Sequence, residues 1–453
     1  AVEEPVPAVV LQPEPEDERL RHRLDRELVA AVADLVDVAV DDGDGVVLPC
    51  STTVCALSFG MGVVSGIVLA YQFGTNWSGL MAKAGQIMGP LLSYETLTAF
   101  FLEASFLGVL LFGWKRVSRR THFISTLMVA LGTCISAFWI MASNSWMQTP
   151  AGYVVRDGIF YPADWWAIIF NPSFLVRFAR MLMAAYLSTS FVVAGVAAWY
   201  LLKDRFIDLA KPMMALALLM IVPLAPLQIV VGDMAGLIVR DHQPAKLAAM
   251  EAQWETGVMP LRLFAIPDQT AARNRFEVGI PKLGSLITQQ SLDKPVKGLL
   301  EFPAEDRPRV AIVFWTFRLM VGIGFLMLVI AVTAAVLALR KRLYSSRWFL
   351  RLLMLASPLG FVAIVAGWYT AEIGRQPYVI YGALRTADAV SPVTAGSVTL
   401  SLAMFFVIYS AVFGAGFWYL LRTIHKGPVE VAPPEAPARG NRPMAGMSPA
   451  TAK

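Results

Sequence analysis

Histidine and cysteine are both scarce in this 453-residue chain. The three cysteines, Cys50, Cys55 and Cys134, have neither metal-ligand spacing nor an even count, which excludes a disulfide framework or a zinc site of ordinary form. None of the four histidines, His22, His122, His242 and His425, stands in the middle of an apolar run. No internal repeat is visible and the second half does not mirror the first, which weakens the reading of a proton- or cation-coupled transporter built from repeated halves. The first 50 residues have no basic start followed by an apolar core, so they are not a signal peptide. They hold 13 acids against 4 arginines, which leaves 20 acids against 34 lysines and arginines in the remainder.

What the chain has is apolar length. It is 57% hydrophobic with a mean hydropathy of +0.58, far above a soluble domain, and this marks an all-α integral membrane protein. Eight runs are long enough to cross a bilayer, at about 52–73, 90–113, 122–142, 175–202, 211–231, 310–339, 350–371 and 394–421. Basic residues mark alternate connections: Lys115-Arg116 with Arg119-Arg120, Lys203 with Arg205 and Lys211, Arg340-Lys341-Arg342 with Arg347, and Arg422 with Lys426. That side is expected to be cytoplasmic, with no nucleic acid as partner. The other side receives 74–89, 143–174, a long loop at 232–309 and 372–393. Residues 1–50 read as an acidic, Pro-rich lead outside the membrane, 51–426 as the membrane domain, and 427–453 as a disordered cytoplasmic tail. Trp165-Trp166 predicts a short interfacial helix on the outer side.

Charges inside apolar runs are the candidate functional groups, because each is costly in lipid unless it meets a partner, a cavity or a cofactor. Glu372 ends the seventh run in Gly367-Trp368-Tyr369-Thr370-Ala371-Glu372-Ile373-Gly374-Arg375-Gln376-Pro377, with Trp368 a turn before it and Arg375 nearly a turn after, predicted along one face. An ion pair at the helix end explains the same spacing. Glu95 and Glu103 are eight residues apart in the second run, about 12 Å of rise on a similar face, which suits a proton path better than a metal pair. Acids hydrogen-bonded between helices are the alternative. Arg318 needs anions beside it, and Met320 alone reads as packing. Lys246 and Glu251 lie on a predicted short helix after Gln243, for which a solvated surface helix is an equal reading.

Several of these stretches, together with Tyr71-Gln72-Phe73-Gly74-Thr75-Asn76-Trp77, Phe138-Trp139-Ile140 and Asn144-Ser145-Trp146-Met147-Gln148-Thr149-Pro150, resemble subunit I of the cytochrome bd quinol oxidases. The likeness runs from about Leu57 to Lys426, and the short outer loop resembles the cyanide-insensitive branch. The resemblance implies an oxidoreductase in a bacterial inner membrane that oxidises quinol and reduces dioxygen to water. It implies low-spin and high-spin haem b with haem d or a further haem b. It also implies a second membrane subunit, with a small single-helix subunit as a further candidate partner. Residue by residue, it gives Gln243, Lys246 and Glu251 to the quinol loop, Met320 to low-spin haem iron with Arg318 beside it, and Glu372 to the high-spin haem pair. Trp368, Arg375 and Gln376 flank that glutamate, and Glu95 and Glu103 lie near the pair or on the proton route.

Two departures stand against the resemblance. In Val176-Arg177-Phe178-Ala179-Arg180-Met181-Leu182 the position of the family's low-spin haem histidine is Arg180, and a guanidinium has no lone pair to give iron. The family's nine spans begin with one that carries another haem histidine, and residues 1–50 stand in its place. His22, in a charged setting, is not expected to replace it. Such a start is what a shifted reading frame, a wrong gene model or a truncated paralogue gives. A non-catalytic or haem-deficient homologue that keeps the fold and the partner contact is therefore the alternative reading.

Overall fold

The computed structural model describes residues 48–113 and 116–427. The acidic lead with His22, Lys115 and the tail beyond Gly427 lie outside the described residues. Ala56–Trp418 form one compact unit, and the described residues 48–55 and 419–427 fall outside it.

Among the described residues, eight helices, or pairs of helices, are long and apolar enough to span, as the hydropathy predicts. In lipid a backbone can satisfy its polar groups only within such elements. They are α1 (Leu48–Gly74); α2 (Ser78–Glu95), continued through a π turn at Thr96–Phe100 into α3 (Phe101–Phe112); and α4 (Arg119–Gln148). A short helix, α5 (Trp165–Ile169), follows at the predicted interfacial position, its first amides capped by Asp164. Then come α6 (Phe174–Leu202), α7 (Ile207–His242), the loop helices α8 (Pro244–Met250) and α9 (Leu283–Gln289), and α10 (Val310–Leu339). The seventh span breaks at Ser357-Pro358 into α11 (Arg347–Ala356) and α12 (Leu359–Ile373), because proline cannot continue the ladder. The last is α13 (Ala395–Lys426).

Three elements differ from the hydropathy reading. The stretch 78–89, read as loop, is helical, and it buries Leu80, Ala84, Ile87, Met88 and Leu91 against Trp146, Phe160 and Ile168. Its lysine, glutamine and glycines lower the mean hydropathy without breaking the helix. The fifth span runs on to His242, so the long loop begins at Gln243 and not at 232; Asp233, Arg240 and Asp241 end the apolar run but not the hydrogen-bond ladder. The connections are also not wholly α or irregular. Antiparallel hairpins form from β1 (Tyr153–Arg156) with β2 (Ile159–Pro162), β3 (Leu261–Asp268) with β4 (Arg273–Ile280), and β5 (Tyr378–Ile380) with β6 (Leu384–Arg385).

The loop at 243–309 is a folded cap. Ala248, Ala249, Trp254, Ala265 and Leu299 pack against Val310, Val313 and Phe314 at the start of α10. Within the bundle, small residues let backbones meet: a Cβ on Gly360 of α12 would lie 2.8 Å from the Cα of Ser188 on α6. The most apolar 18-residue stretches of Ala56–Gly74 and Ala395–Lys426 bury none of their residues within the chain, against 44% for that of Phe174–Leu202.

Candidate functional site

At one end of the bundle, α4, α6, α8 and α12 bring their polar residues together. Glu372 pairs with Arg375 and accepts from Asn144 Nδ2 at 3.2 Å and Gln148 Nε2 at 3.4 Å. Arg177 donates to Asn144 Oδ1, and its Nε donates to Ser145 Oγ at 3.2 Å. From the cap, Lys246 Nζ donates to Gln148 Oε1 at 3.0 Å and to Gln243 Oε1 at 3.1 Å, while Gln243 Nε2 donates to Gln148 Oε1 at 3.0 Å. A continuous chain of hydrogen bonds therefore runs from Lys246 through Gln148 to Glu372.

Gly374 makes this approach possible, since a Cβ there would stand 2.9 Å from Lys246 Cγ. Lys246 is buried, so the solvated-helix reading does not hold. Burial first, then Arg177 and Arg375, hold its ammonium well below the ordinary lysine range, and Glu372 offsets only part of this.

Glu251, at the far end of α8, turns to a different partner. It forms an ion pair with Arg318 of α10, whose Nε donates to the carbonyl of Arg262. Arg262 in turn donates to the Glu251 carbonyl at 3.1 Å, to Gln253 Oε1 at 2.7 Å and to Glu277 at 2.8 Å. The Arg318 guanidinium also lies over Phe314 and Phe317, 4.9 and 5.3 Å from the ring centroids. The anion that Arg318 requires is thus Glu251.

Glu95 and Glu103 both face α4. Glu95 accepts from Ser136 at 2.8 Å, and Glu103 is buried against Gly132, where a Cβ would strike its side chain. The π turn between them spreads their eight residues over roughly two turns, which lines them up more closely than an ideal α-helix does. Beside them Thr98, Cys134, Ile135, Phe138, Trp139 and Phe178 line an apolar cavity of about 420 Å³.

Two residues stay out of these clusters. Trp368, predicted beside Glu372, is 57% exposed and stacks on Tyr369. Gln376 accepts from Thr386 at 2.8 Å and ties the segment to β6. Sequence reasoning gave no role to Asn144, Gln148, Arg177 or Arg262. The one available signal was an unusually polar end to the third span.

Fold and site together define a polytopic membrane protein with a buried ionic centre beneath a folded cap. The profile described as cytochrome bd terminal oxidase subunit I matches residues 49–428. The cytochrome bd ubiquinol oxidase subunit 1 of Bacillus subtilis (strain 168) is 36% identical over 385 residues, 82% of each chain. The cytochrome bd-II ubiquinol oxidase subunit 1 of Escherichia coli (strain K12) is 32% identical over 82% of this chain and 86% of its own. The solved bd oxidase of Geobacillus thermodenitrificans superposes with a TM-score of 0.78 at 30% identity, covering 88% of this chain and 93% of that one. The chain belongs to the cytochrome bd terminal oxidase subunit I family.

Haem is the cofactor that this family implies, and the two candidate seats answer differently. Around Glu372 stand Arg177, Lys246 and Arg375, and Arg375 Nε and Nη1 are buried without a hydrogen-bond partner. Unanswered buried donors of this kind fit a group that carries its own carboxylates. At Met320 the residues do not fit. Arg180 Nη2 donates to Met320 Sδ at 3.1 Å, and a guanidinium has no lone pair to give iron.

Proposed function

We propose that the chain is the haem-bearing subunit of a terminal quinol oxidase in a bacterial inner membrane, with the cap at 243–309 on the outer side and the C-terminus in the cytoplasm. In this reading 51–426 is the oxidase body and 1–50 and 427–453 are appendages. The observation that carries it is the hydrogen-bonded chain from Lys246 through Gln148 to Glu372, which joins the cap to a carboxylate whose arginine partner, Arg375, keeps two buried donors unanswered.

Gln243, Lys246 and Glu251 bind quinol. Lys246, held toward its neutral form, accepts a hydroxyl proton, and Glu251 takes its orientation from Arg318. Two quinols release four electrons and four protons, and dioxygen takes four of each to become two waters. Haem b, with haem d or a further haem b, supplies the iron chemistry when bound. Glu372 would hold the iron of the high-spin group, Arg375 its carboxylates, and Trp368 and Gln376 the rim of the segment. Glu95 and Glu103 pass protons along α2 and α3 from the cytoplasmic side. A second membrane subunit, with a small single-helix subunit as a further candidate, covers apolar surface such as that of the span Ala56–Gly74.

The test is made on the chain purified with its partner subunit. Lys246→Ala should raise the quinol concentration needed for oxygen consumption and leave haem content unchanged. Glu372→Ala should remove the high-spin haem absorbance; an unaltered spectrum refutes the assignment. The reading of a haem-deficient homologue is favoured by one observation, the contact between Arg180 and Met320.

A further inference from the structure

Arg180 on α6 and Met320 on α10 hold the two positions where the resemblance implies opposed iron ligands. Here they touch each other. Arg180 Nη2 donates to Met320 Sδ at 3.1 Å, and Gln228 of α7 donates from Nε2 to the Arg180 carbonyl at 3.2 Å. Behind Met320 stands Gly367 of α12, where even a Cβ would come within 2.8 Å of the sulfur. The thioether is therefore packed between a guanidinium and a helix backbone.

We propose that this chain seats no six-coordinate haem iron between α6 and α10, and that the contact between Arg180 and Met320 joins the two helices where iron would otherwise join them. The inference rests on the reading of the chain as a haem-bearing oxidase subunit and limits its haem to the Glu372 side. Two physical facts support it. The two side chains are in direct hydrogen-bond contact at 3.1 Å, and one of them is a cation without a lone pair. A neutral imidazole in place of the guanidinium is shorter, carries a lone pair and removes a buried positive charge.

The experiment uses the chain with its partner subunit, expressed with haem freely supplied. Haem per chain is counted by the pyridine haemochrome method, and low-spin haem is read from reduced-minus-oxidised and electron paramagnetic resonance spectra. The unaltered chain should give no low-spin signal, and Met320→Leu should leave haem per chain unchanged. Arg180→His should gain about one haem per chain with a low-spin signal, and that gain should vanish in Arg180→His/Met320→Leu. Arg180→Gln, which removes the charge without supplying a strong ligand, should fold as well as Arg180→His and gain nothing.

A low-spin signal in the unaltered chain that Met320→Leu abolishes overturns the proposal, as does a folded Arg180→His chain that gains no haem. The broader oxidase reading fails separately, through an unaltered chain with no haem on the Glu372 side. A colourless chain that gains a low-spin haem with Arg180→His would refute that reading and still support this inference.

Discussion

Removal of the Glu251 carboxylate tests how the cap is anchored. Its side chain is 6% exposed and that of Arg318 is 11% exposed, so the pair is cut off from water. In Glu251→Ala the guanidinium keeps only the Arg262 carbonyl and two ring faces, at 4.9 and 5.3 Å. Taking one partner from a buried pair costs about 3–5 kcal/mol, whereas a cation over a ring contributes about 0.5–2 kcal/mol, so the rings cannot compensate. Glu251→Gln retains a neutral acceptor and should lose about 1–3 kcal/mol. Replacing both members, in Glu251→Leu/Arg318→Met, removes both charges and should cost far less than the two single changes together. Thermal melts of the detergent-solubilised complex give the order, and quinol titrations of oxygen consumption should show a higher half-saturating concentration at unchanged haem content. Single and double variants whose effects add within about 0.5 kcal/mol would refute the coupling, and Glu251→Ala melting with the unaltered chain would refute the burial argument.

Gly360→Ala forces a Cβ toward the Ser188 backbone and should cost about 1–3 kcal/mol by overpacking; a melting temperature equal to that of the unaltered chain contradicts the close approach. Tyr381, which lies beyond the seventh span, is pushed up to about 12 by burial, then by Tyr378 and Asp306. Its folded form keeps a proton that the unfolded chain gives up near pH 10, so stability should fall as pH rises from about 10 to 12, by at most about 2–3 kcal/mol. Tyr381→Phe should flatten that fall in melts across the window, and an unchanged slope rules the assignment out. Gly374→Ala should push Lys246 away from Gln148 and raise the quinol requirement without loss of haem; unchanged quinol kinetics would show that the lysine does not need that gap.

The spans were legible because hydropathy sums over some twenty residues, and a sum tolerates error at any one position. The same averaging hid the helical stretches at 78–89 and 232–242, where polar residues extend a helix beyond its apolar run and the mean falls although the hydrogen bonds persist. Side-chain partners follow a different rule. Spacing reports neighbours three or four residues apart, so Glu372 with Arg375 was readable as a pair. Glu251 and Arg318 are separated by 67 positions, and Lys246 and Gln148 by 98, distances over which no periodicity operates. Even at readable spacing, Trp368 turned to Tyr369, because an aromatic ring at a membrane boundary gains more from an apolar neighbour than from a carboxylate that an arginine already satisfies. Arg180 and Met320, 140 positions apart, became a pair only through the resemblance, which placed them opposite each other as ligands. Their contact follows from what each can donate: an arginine opposite a thioether can offer it only an N–H, so the two side chains approach to hydrogen-bond distance and leave no space for a metal between them.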